Sequence, residues 1–196
     1  MRRFLPLSLI CTLLFAGVAG STTVIPPTFD ALVGGANTVF VGEVMAVRAR
    51  WITTPRGRAI MTDVTFRVED VWKGNIGAVT MLEFMGGTID GMTMEVVGMP
   101  QFAVGERSVL FVSGERSVSP LVGFWYGRMK VERDFYGVDR VRTHDGRSLG
   151  STAQIGPNRP NLMLSITAMR LSDLASQVRA RAALARRSVG EAGRVR

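Results

Sequence analysis

The sequence predicts a mainly β protein, a small antiparallel barrel with one C-terminal α-helix. Two long strands joined by a short turn run from 38 to 74, and short strands with glycine-rich turns follow as far as 142 with no helical pattern between them. Helical spacing of apolar residues returns only after Ser172. Strands that recur in this way, without helices between them, are typical of closed or nearly closed antiparallel sheets.

The N-terminus has the pattern of a secretory signal peptide. A positive start at Arg2 and Arg3 precedes an apolar run over 4–15 and a small-residue cleavage site that ends at Ala19. We therefore expect cleavage near Ala19, export to the periplasm or the cell exterior, and no integral membrane segment afterwards. Because the sole cysteine, Cys11, lies in the apolar run, the mature chain is expected to fold on its core alone, without a disulfide.

The predicted hairpin over 38–74 has the clearest pattern in the chain. In its second strand Val64 and Phe66 share one side while Arg67 lies on the other, which is the two-residue period of a half-buried strand. Gly42 in the first strand predicts a bend or bulge. A long strand that bends is a barrel feature.

The other elements follow from shorter patterns. Gly34 and Gly35 limit any helix before the hairpin to a turn or two. Near the C-terminus, Leu174 and Val178 recur at helical spacing, with Ser172 as the predicted N-cap. Further strands are predicted over 79–84, 92–97, 108–112, 121–124, 127–132 and 136–142. The predicted organisation is a signal peptide over 1–20, a lead-in segment over 21–36, the barrel over 37–143, a polar loop over 144–161, a helix region over 162–188 and a basic tail over 189–196.

The formal charge of +8 is concentrated at the two ends of the chain. Arg2 and Arg3 leave with the predicted signal peptide, and the stretch from Arg179 onward holds six arginines against Glu191, a net +5. The body between them is close to neutral and lacks the basic face expected of a nucleic-acid binder. We therefore expect no nucleic-acid partner and interpret the arginine-rich end as solvated.

Three segments, 62–74, 84–112 and 120–134, resemble a group of exported bacterial proteins of obscure function. The barrel of that group is similar to the barrel of netrin modules and tissue inhibitors of metalloproteinases. The match covers about 37–142, and its most specific part is 98–111 with its Gly-Glu-Arg turn. The resemblance implies an OB-like (oligonucleotide/oligosaccharide-binding) Greek-key barrel that acts through its surface, with a metalloprotease among the partners it suggests. The N-terminal cysteine with which such inhibitors chelate the protease zinc is absent near the expected mature start, so inhibition by that route is not expected.

One group of aromatic residues provides the candidate binding surface. On barrels of this type, exposed aromatics usually contact sugars, bases or protein partners. Alternation along the predicted strand places Trp125 opposite Phe124 and Tyr126, so not all three can be buried. The alternative, that these rings close the barrel end or pack under the C-terminal helix, stays open. The candidates are Trp51, Phe124, Trp125, Tyr126, Phe135 and Tyr136.

No catalytic residue, metal site or cofactor is predicted. His144, Asp145 and Ser148 have the residue types of a catalytic triad. Near neighbours on one loop, however, cannot easily place the aspartate behind the imidazole and the serine in front of it. The Asp145-Gly146 step is turn chemistry. One histidine and no mature cysteine also make a protein-built zinc site improbable, because zinc takes three or four nitrogen or sulfur ligands.

Paired carboxylates are the remaining route to catalysis. Glu69 and Asp70 are neighbours on a strand and point to opposite faces, and Asp90 with Glu95 is the other available pair. A hydrolase of envelope glycans would need two carboxylates that face one cleft. The residues to locate for this alternative are Glu43, Glu69, Asp70, Glu83, Asp90 and Glu95.

The sequence thus predicts an exported, non-catalytic binding module in the cell envelope or outside the cell. Its expected partner is a protein, with a protease as the version implied by resemblance. The alternatives are a glycan-binding protein or carboxylate-based glycan hydrolase, and a structural envelope protein.

Overall fold

A computed structural model of the protein describes residues 25–114, 118–157 and 167–192. The predicted signal peptide, part of the predicted polar loop and the end of the basic tail lie outside these ranges. The helices are α1 (Phe29–Gly35) and α2 (Leu171–Ala192), with short 3-10 turns at Phe124–Gly127 and Thr152–Gln154. The strands are β1 (Thr38–Thr54), β2 (Gly57–Lys73), β3 (Val79–Met85), β4 (Gly87–Ile89), β5 (Met92–Met94), β6 (Arg107–Val112), β7 (Arg128–Arg133) and β8 (Asp139–Arg142).

Six strands form one antiparallel sheet in the order β3-β2-β1-β6-β7-β8, and β4 and β5 form a separate two-stranded hairpin. Because β6 returns to lie beside β1 after three consecutive strands, the topology is a Greek key. The mainly β class, the dominant antiparallel sheet and the C-terminal helix are confirmed. Among the strands of the described ranges, β3 forms a ladder only with β2 and β8 only with β7, so no ladder joins the two edges of the sheet. Single bridges join β8 to Ser148 and Arg170.

The β1–β2 hairpin dominates the sheet, and its strands pair along their whole length. Val64 and Phe66 are buried while Arg67 is exposed, which confirms the predicted alternation. Register shifts interrupt the ladder, one of them between Val41 and Gly42, as the sequence indicates. A Cβ at Gly42 would lie 2.9 Å from the Phe40 ring, so a larger residue would not fit this bulge. Bulges of this kind increase the twist and bend the hairpin.

Each face of the sheet carries its own core. On the outer face, which includes Val41, helices α1 and α2 contribute Leu32 and Val178 to a cluster that also contains Phe111. On the inner face, which includes Phe66, a second cluster forms from side chains of β1, β2, β3 and β6. A strand that is buried on both faces has a continuous apolar sequence. The apolar run 108–112 predicts a central strand for that reason, and β6 lies inside the sheet, between β1 and β7.

Two arginines in the middle of α2 are bound to the body of the protein. Arg179 donates from Nη2 to both carboxylate oxygens of Asp70, at 2.8 and 2.7 Å. Arg181 donates from Nε and Nη2 to the two carboxylate oxygens of Asp30 in α1. No described helix is long and apolar enough to cross a membrane.

Several predicted elements differ from the structure. The predicted strand over 121–124 is a single bridge at Leu121 followed by the 3-10 turn, because Gly123 adopts a φ of +65° and breaks the extended run. The strand predicted over 92–97 ends at Met94, and β8 begins only at Asp139. Helix α2 begins at Leu171, so Ser172 lies inside the first turn rather than at the N-cap.

Candidate functional site

The inner face of the β1–β2 hairpin is the floor of a cleft of about 570 Å³. Most of its lining side chains are apolar, and the polar ones are Thr62, Thr88, Thr93, Glu95 and Gln101. Segment 86–102, which includes β4 and β5, forms its roof, and Trp125 closes one side. The floor consists of side chains that alternate along β1, β2 and β3, as expected for one face of a pleated sheet. The floor residues are Val47, Ala49, Thr62, Val64 and Phe84.

Two glycines let the roof turn back over the floor. Gly86 and Gly87 have φ values of +103° and +133°, which residues with a Cβ rarely adopt. The Thr62 hydroxyl donates a 2.6 Å hydrogen bond to the Gly86 carbonyl, which fixes the start of the roof to β2. The indole N–H of Trp51 donates to the Asp90 carboxylate at 3.0 Å and holds the β4–β5 turn against the tip of the long hairpin.

The far end of the roof is attached through the 3-10 turn. The Trp125 backbone N–H donates to the Gly98 carbonyl at 3.0 Å. Gly98 has a φ of +92°, a backbone conformation that residues with a Cβ rarely adopt. Phe102 then enters the inner core and meets Phe66 and Phe84 with ring centroids 5.4 and 5.0 Å away. The roof is therefore tied to the sheet at both ends.

A buried arginine fastens the segment after the roof. Arg128 of β7 is only 3% exposed, and its guanidinium lies 4.3 Å above the Phe102 ring. It donates to the Ser108 hydroxyl at 3.1 Å, to the Gln101 carbonyl, and to the Glu106 carboxylate at 2.8 Å. Burial lowers the pKa of Arg128, and the nearby carboxylate opposes that effect. We call this set of contacts the Arg128 clamp.

The stability of the clamp is expected to depend on pH. Burial alone would raise the pKa of Glu106, but the Ala103 N–H and the Arg128 charge outweigh it and hold the pKa below its ordinary value of 4.5. A lowered folded-state pKa contributes stability that is present above pH 4.5 and is lost as the pH falls through the folded-state value. The expected result is that part of the acid destabilisation disappears in Glu106→Gln, measured by urea unfolding at a series of pH values. Equal acid dependence in both proteins would contradict it.

The aromatic candidates lie in three separate places. Trp51 is at the hairpin tip with the Arg58 guanidinium 4.3 Å from its ring centroid. The predicted alternation of Phe124, Trp125 and Tyr126 is wrong, because the three lie in a 3-10 turn, where successive side chains spread around an axis. All three are half-buried, and Trp125 lines the cleft.

Phe135 and Tyr136 form the third place, the turn between β7 and β8. Their side chains are 96% and 85% exposed, with ring centroids 5.6 Å apart. Asp134 fixes this turn by accepting hydrogen bonds from the N–H groups of Tyr136 and Val138. The structure therefore separates this pair from the cleft.

The carboxylates of the hydrolase alternative are distributed over several surfaces. Glu43 and Glu69 line one charged groove of about 780 Å³, where Arg67 and Arg107 respectively bind them. Glu95 lines the cleft. Glu83, Asp70 and Asp90 are engaged by Arg50, Arg179 and Trp51.

The His144 ring stacks on Trp125, with 5.5 Å between the ring centroids and 13° between the planes. Asp145 accepts a hydrogen bond from the Thr143 hydroxyl and pairs with Arg147. No group of three or more histidine, cysteine, aspartate or glutamate side chains in the described ranges is placed to hold a metal ion.

Sequence reasoning missed the cleft and the clamp. The Gly86-Gly87 pair predicts a turn, but the sequence of this pair does not indicate that the following residues fold over β2. Arg128 lies in a correctly predicted strand, yet its alternation alone does not reveal a buried guanidinium. The signal that could have indicated it is Glu106, an acidic residue just before the apolar run of β6.

Fold and cleft together define a mainly β protein with a Greek-key antiparallel sheet and a mostly apolar cleft beneath a short hairpin. Comparison with protein-family models, with curated proteins and with solved structures found no match to this chain.

Proposed function

We propose that the protein is an exported, non-catalytic binding module that accepts an apolar segment of a partner protein in the cleft. The observation that carries the proposal is the cleft itself, about 570 Å³ of space between the inner sheet face and the roof, lined mainly by aliphatic, methionine and aromatic side chains. Concave apolar sites with few polar groups are the usual form of a binding site. Glu95 is the one carboxylate among the described lining residues of this cleft, so the cleft lacks the carboxylate pair that a glycan hydrolase needs. Glu43 and Glu69 do share the charged groove, but an arginine binds each of them there.

Apolar segments of a protein fit this lining better than a glycan. Sugars are recognised by flat aromatic faces together with many hydrogen-bonding groups. The cleft has a few such groups, among them Thr88, Thr93 and Gln101, but three of its five floor residues, Val47, Ala49 and Val64, are aliphatic. Methionines such as Met94 and Met99 adapt their shape to different apolar side chains. A metalloprotease remains the partner that the family resemblance suggests, and the cleft would then receive a loop of the protease.

Val47→Lys is expected to weaken the binding of apolar peptides in the cleft. Val47 lies on the cleft floor and is 37% exposed, so a lysine there is compatible with folding but places a charge in the apolar site. Nonapeptides selected on the wild-type protein from a displayed library should be rich in apolar residues. They should bind the variant at least about tenfold more weakly, since one desolvated charge costs at least about 1.4 kcal/mol. Fluorescence anisotropy of labelled peptides measures the effect.

Met45→Lys is the matched control. Met45 is 49% exposed on the same strand, and it is not among the cleft residues. Selected peptides should bind this variant as they bind the wild type, and they should be recovered intact after incubation. A library that yields no binder, or peptides equally sensitive to both lysines, would remove the proposal; cleaved peptides would favour an enzyme. Purified metalloproteases that are neither bound nor inhibited would remove only the protease version.

A further inference from the structure

Strand β3 leaves one row of its backbone groups open. The Val68 N–H donates to the Ala78 carbonyl and the Gly86 N–H donates to the Ile60 carbonyl, so even-numbered residues of this strand bond to β2. Antiparallel ladders alternate, so Val79, Met81, Glu83 and Met85 direct their N–H and C=O groups away from β2. The Met85 N–H, which donates to the Val118 carbonyl, confirms this direction.

The structure describes no strand beside the remaining open positions of β3. Among the described residues, no backbone hydrogen bond joins Val79, Met81 or Glu83 to a segment on that side. Sheet edges are usually protected by charged side chains, proline, a bulge or a covering segment. The register from Met61 to Arg67 against β3 is regular, β3 contains no proline, and its one charged side chain, Glu83, is bound by Arg50 of β1.

The edge is also apolar and adjoins the cleft. Val79 and Met81 are 58% and 54% exposed on the outer face. On the inner face, Phe84 belongs to β3 and to the cleft floor at once. A strand placed beside β3 would therefore direct alternate side chains toward the cleft side and toward Val79 and Met81.

We propose that the partner binds as an extended strand that pairs with the open edge of β3 and places its inward side chains beside the cleft. This inference rests on the proposed function and specifies the conformation of the bound segment. Donors and acceptors that repeat at every second residue are matched by another peptide backbone, and pairing with an edge is a known mode of peptide recognition. A globular apolar surface or a lipid cannot supply that repeat.

Amide hydrogen exchange in the free protein is the first part of the test. The amides of Thr80, Leu82 and Phe84 should exchange about a hundredfold or more slowly than those of Val79, Met81 and Glu83. This alternation does not depend on any ligand, so its result is separate from the test of the cleft. Uniform protection of all six amides in dilute solution would show that the edge is already covered, which would overturn the proposal.

The second part uses a synthetic peptide with the β2 sequence from 59 to 69, the strand that already pairs with β3 in this fold. Saturation with this peptide should slow exchange at Val79, Met81 and Glu83 and leave Thr80 and Leu82 unchanged. Met81→Pro removes one open N–H at a position where the ladder to β2 does not need it. It should weaken peptide binding about tenfold or more.

Met81→Thr is the control for Met81→Pro. Threonine keeps the N–H and suits a strand, so this variant should bind the peptide as the wild type does. An unchanged β2–β3 exchange pattern in Met81→Pro verifies that the variant is folded. The proposal would be overturned if the proline variant bound the peptide as well as the wild type. It would also be overturned if the peptide protected the β3 amides from exchange without alternation, or if the protein dimerised with concentration in place of binding the peptide.

Discussion

Replacing Arg128 with methionine is expected to lower the free energy of unfolding by about 2–3 kcal/mol, because a buried cation and its hydrogen bonds are lost while its partner, the Glu106 side chain, is 34% exposed and can be hydrated. The guanidinium is 3% exposed and binds three groups of the segment 101–108. Methionine preserves much of the volume but takes the guanidinium donor away from the Gln101 carbonyl and leaves the Glu106 carboxylate with the Ala103 N–H and no cation. Urea unfolding followed by tryptophan fluorescence measures the change.

Arg133→Met is the matched control, because it makes the same substitution on the same strand. The Arg133 side chain is 66% exposed and pairs with Asp139 at 2.9 Å. Exposed pairs of this kind contribute about 1 kcal/mol or less. Equal effects of the two substitutions would show that the clamp contributes no more than a surface ion pair, whereas partial recovery in Arg128→Met with Glu106→Gln would locate the cost in the unpaired carboxylate.

The framework of the fold could be predicted because it depends on local patterns. Alternation between Val64 and Arg67 fixes which side of β2 is buried, and the bulge at Gly42 follows from a glycine within an apolar strand. The helical spacing of Leu174 and Val178 also specifies a buried stripe, and both residues are fully buried. In each case the energetic cause, burial of one face, acts within a few residues along the chain.

The cleft depends on contacts between segments that are distant in the sequence, and local sequence patterns do not reveal such contacts. Trp51 and Asp90 are far apart in the sequence, and their hydrogen bond forms only because the β4–β5 hairpin lies over the long hairpin. The sequence predicts that Phe124, Trp125 and Tyr126 alternate as a strand, but the positive φ of Gly123 starts a 3-10 turn instead. Phe124 also has a positive φ, of +59°, so two consecutive left-handed residues, which composition does not reveal, change which aromatic ring reaches the cleft.

The same separation explains why the aromatic candidates do not form one surface. Phe135 and Tyr136 follow Asp134, whose side chain organises a tight turn, so these rings project into solvent. Trp125 is held between the cleft and His144. Residue type indicates that aromatics can bind a partner, but the turn chemistry around each ring decides where it is displayed.

Gly87→Ala is expected to destabilise the protein by about 2–4 kcal/mol through backbone strain and steric overlap together. Gly87 has a φ of +133°, and a Cβ there would lie 2.2 Å from the Thr62 hydroxyl oxygen. That hydroxyl holds the Gly86 carbonyl, so it cannot move aside without releasing the start of the roof. The variant should therefore also bind cleft peptides more weakly, which unfolding and anisotropy measurements on the same sample can compare.

Gly57→Ala separates the two causes. Gly57, in the turn of the long hairpin, has a φ of +116°, but no described atom beyond its chain neighbours lies within 4 Å of the position that a Cβ would take. Strain alone should cost about 1–3 kcal/mol there, and peptide binding should be unchanged, because the cleft lies elsewhere. If the two alanine variants lose the same stability and both retain binding, then the Thr62 contact does not hold the roof, and the cleft owes its shape to the Phe102 end of segment 86–102 instead.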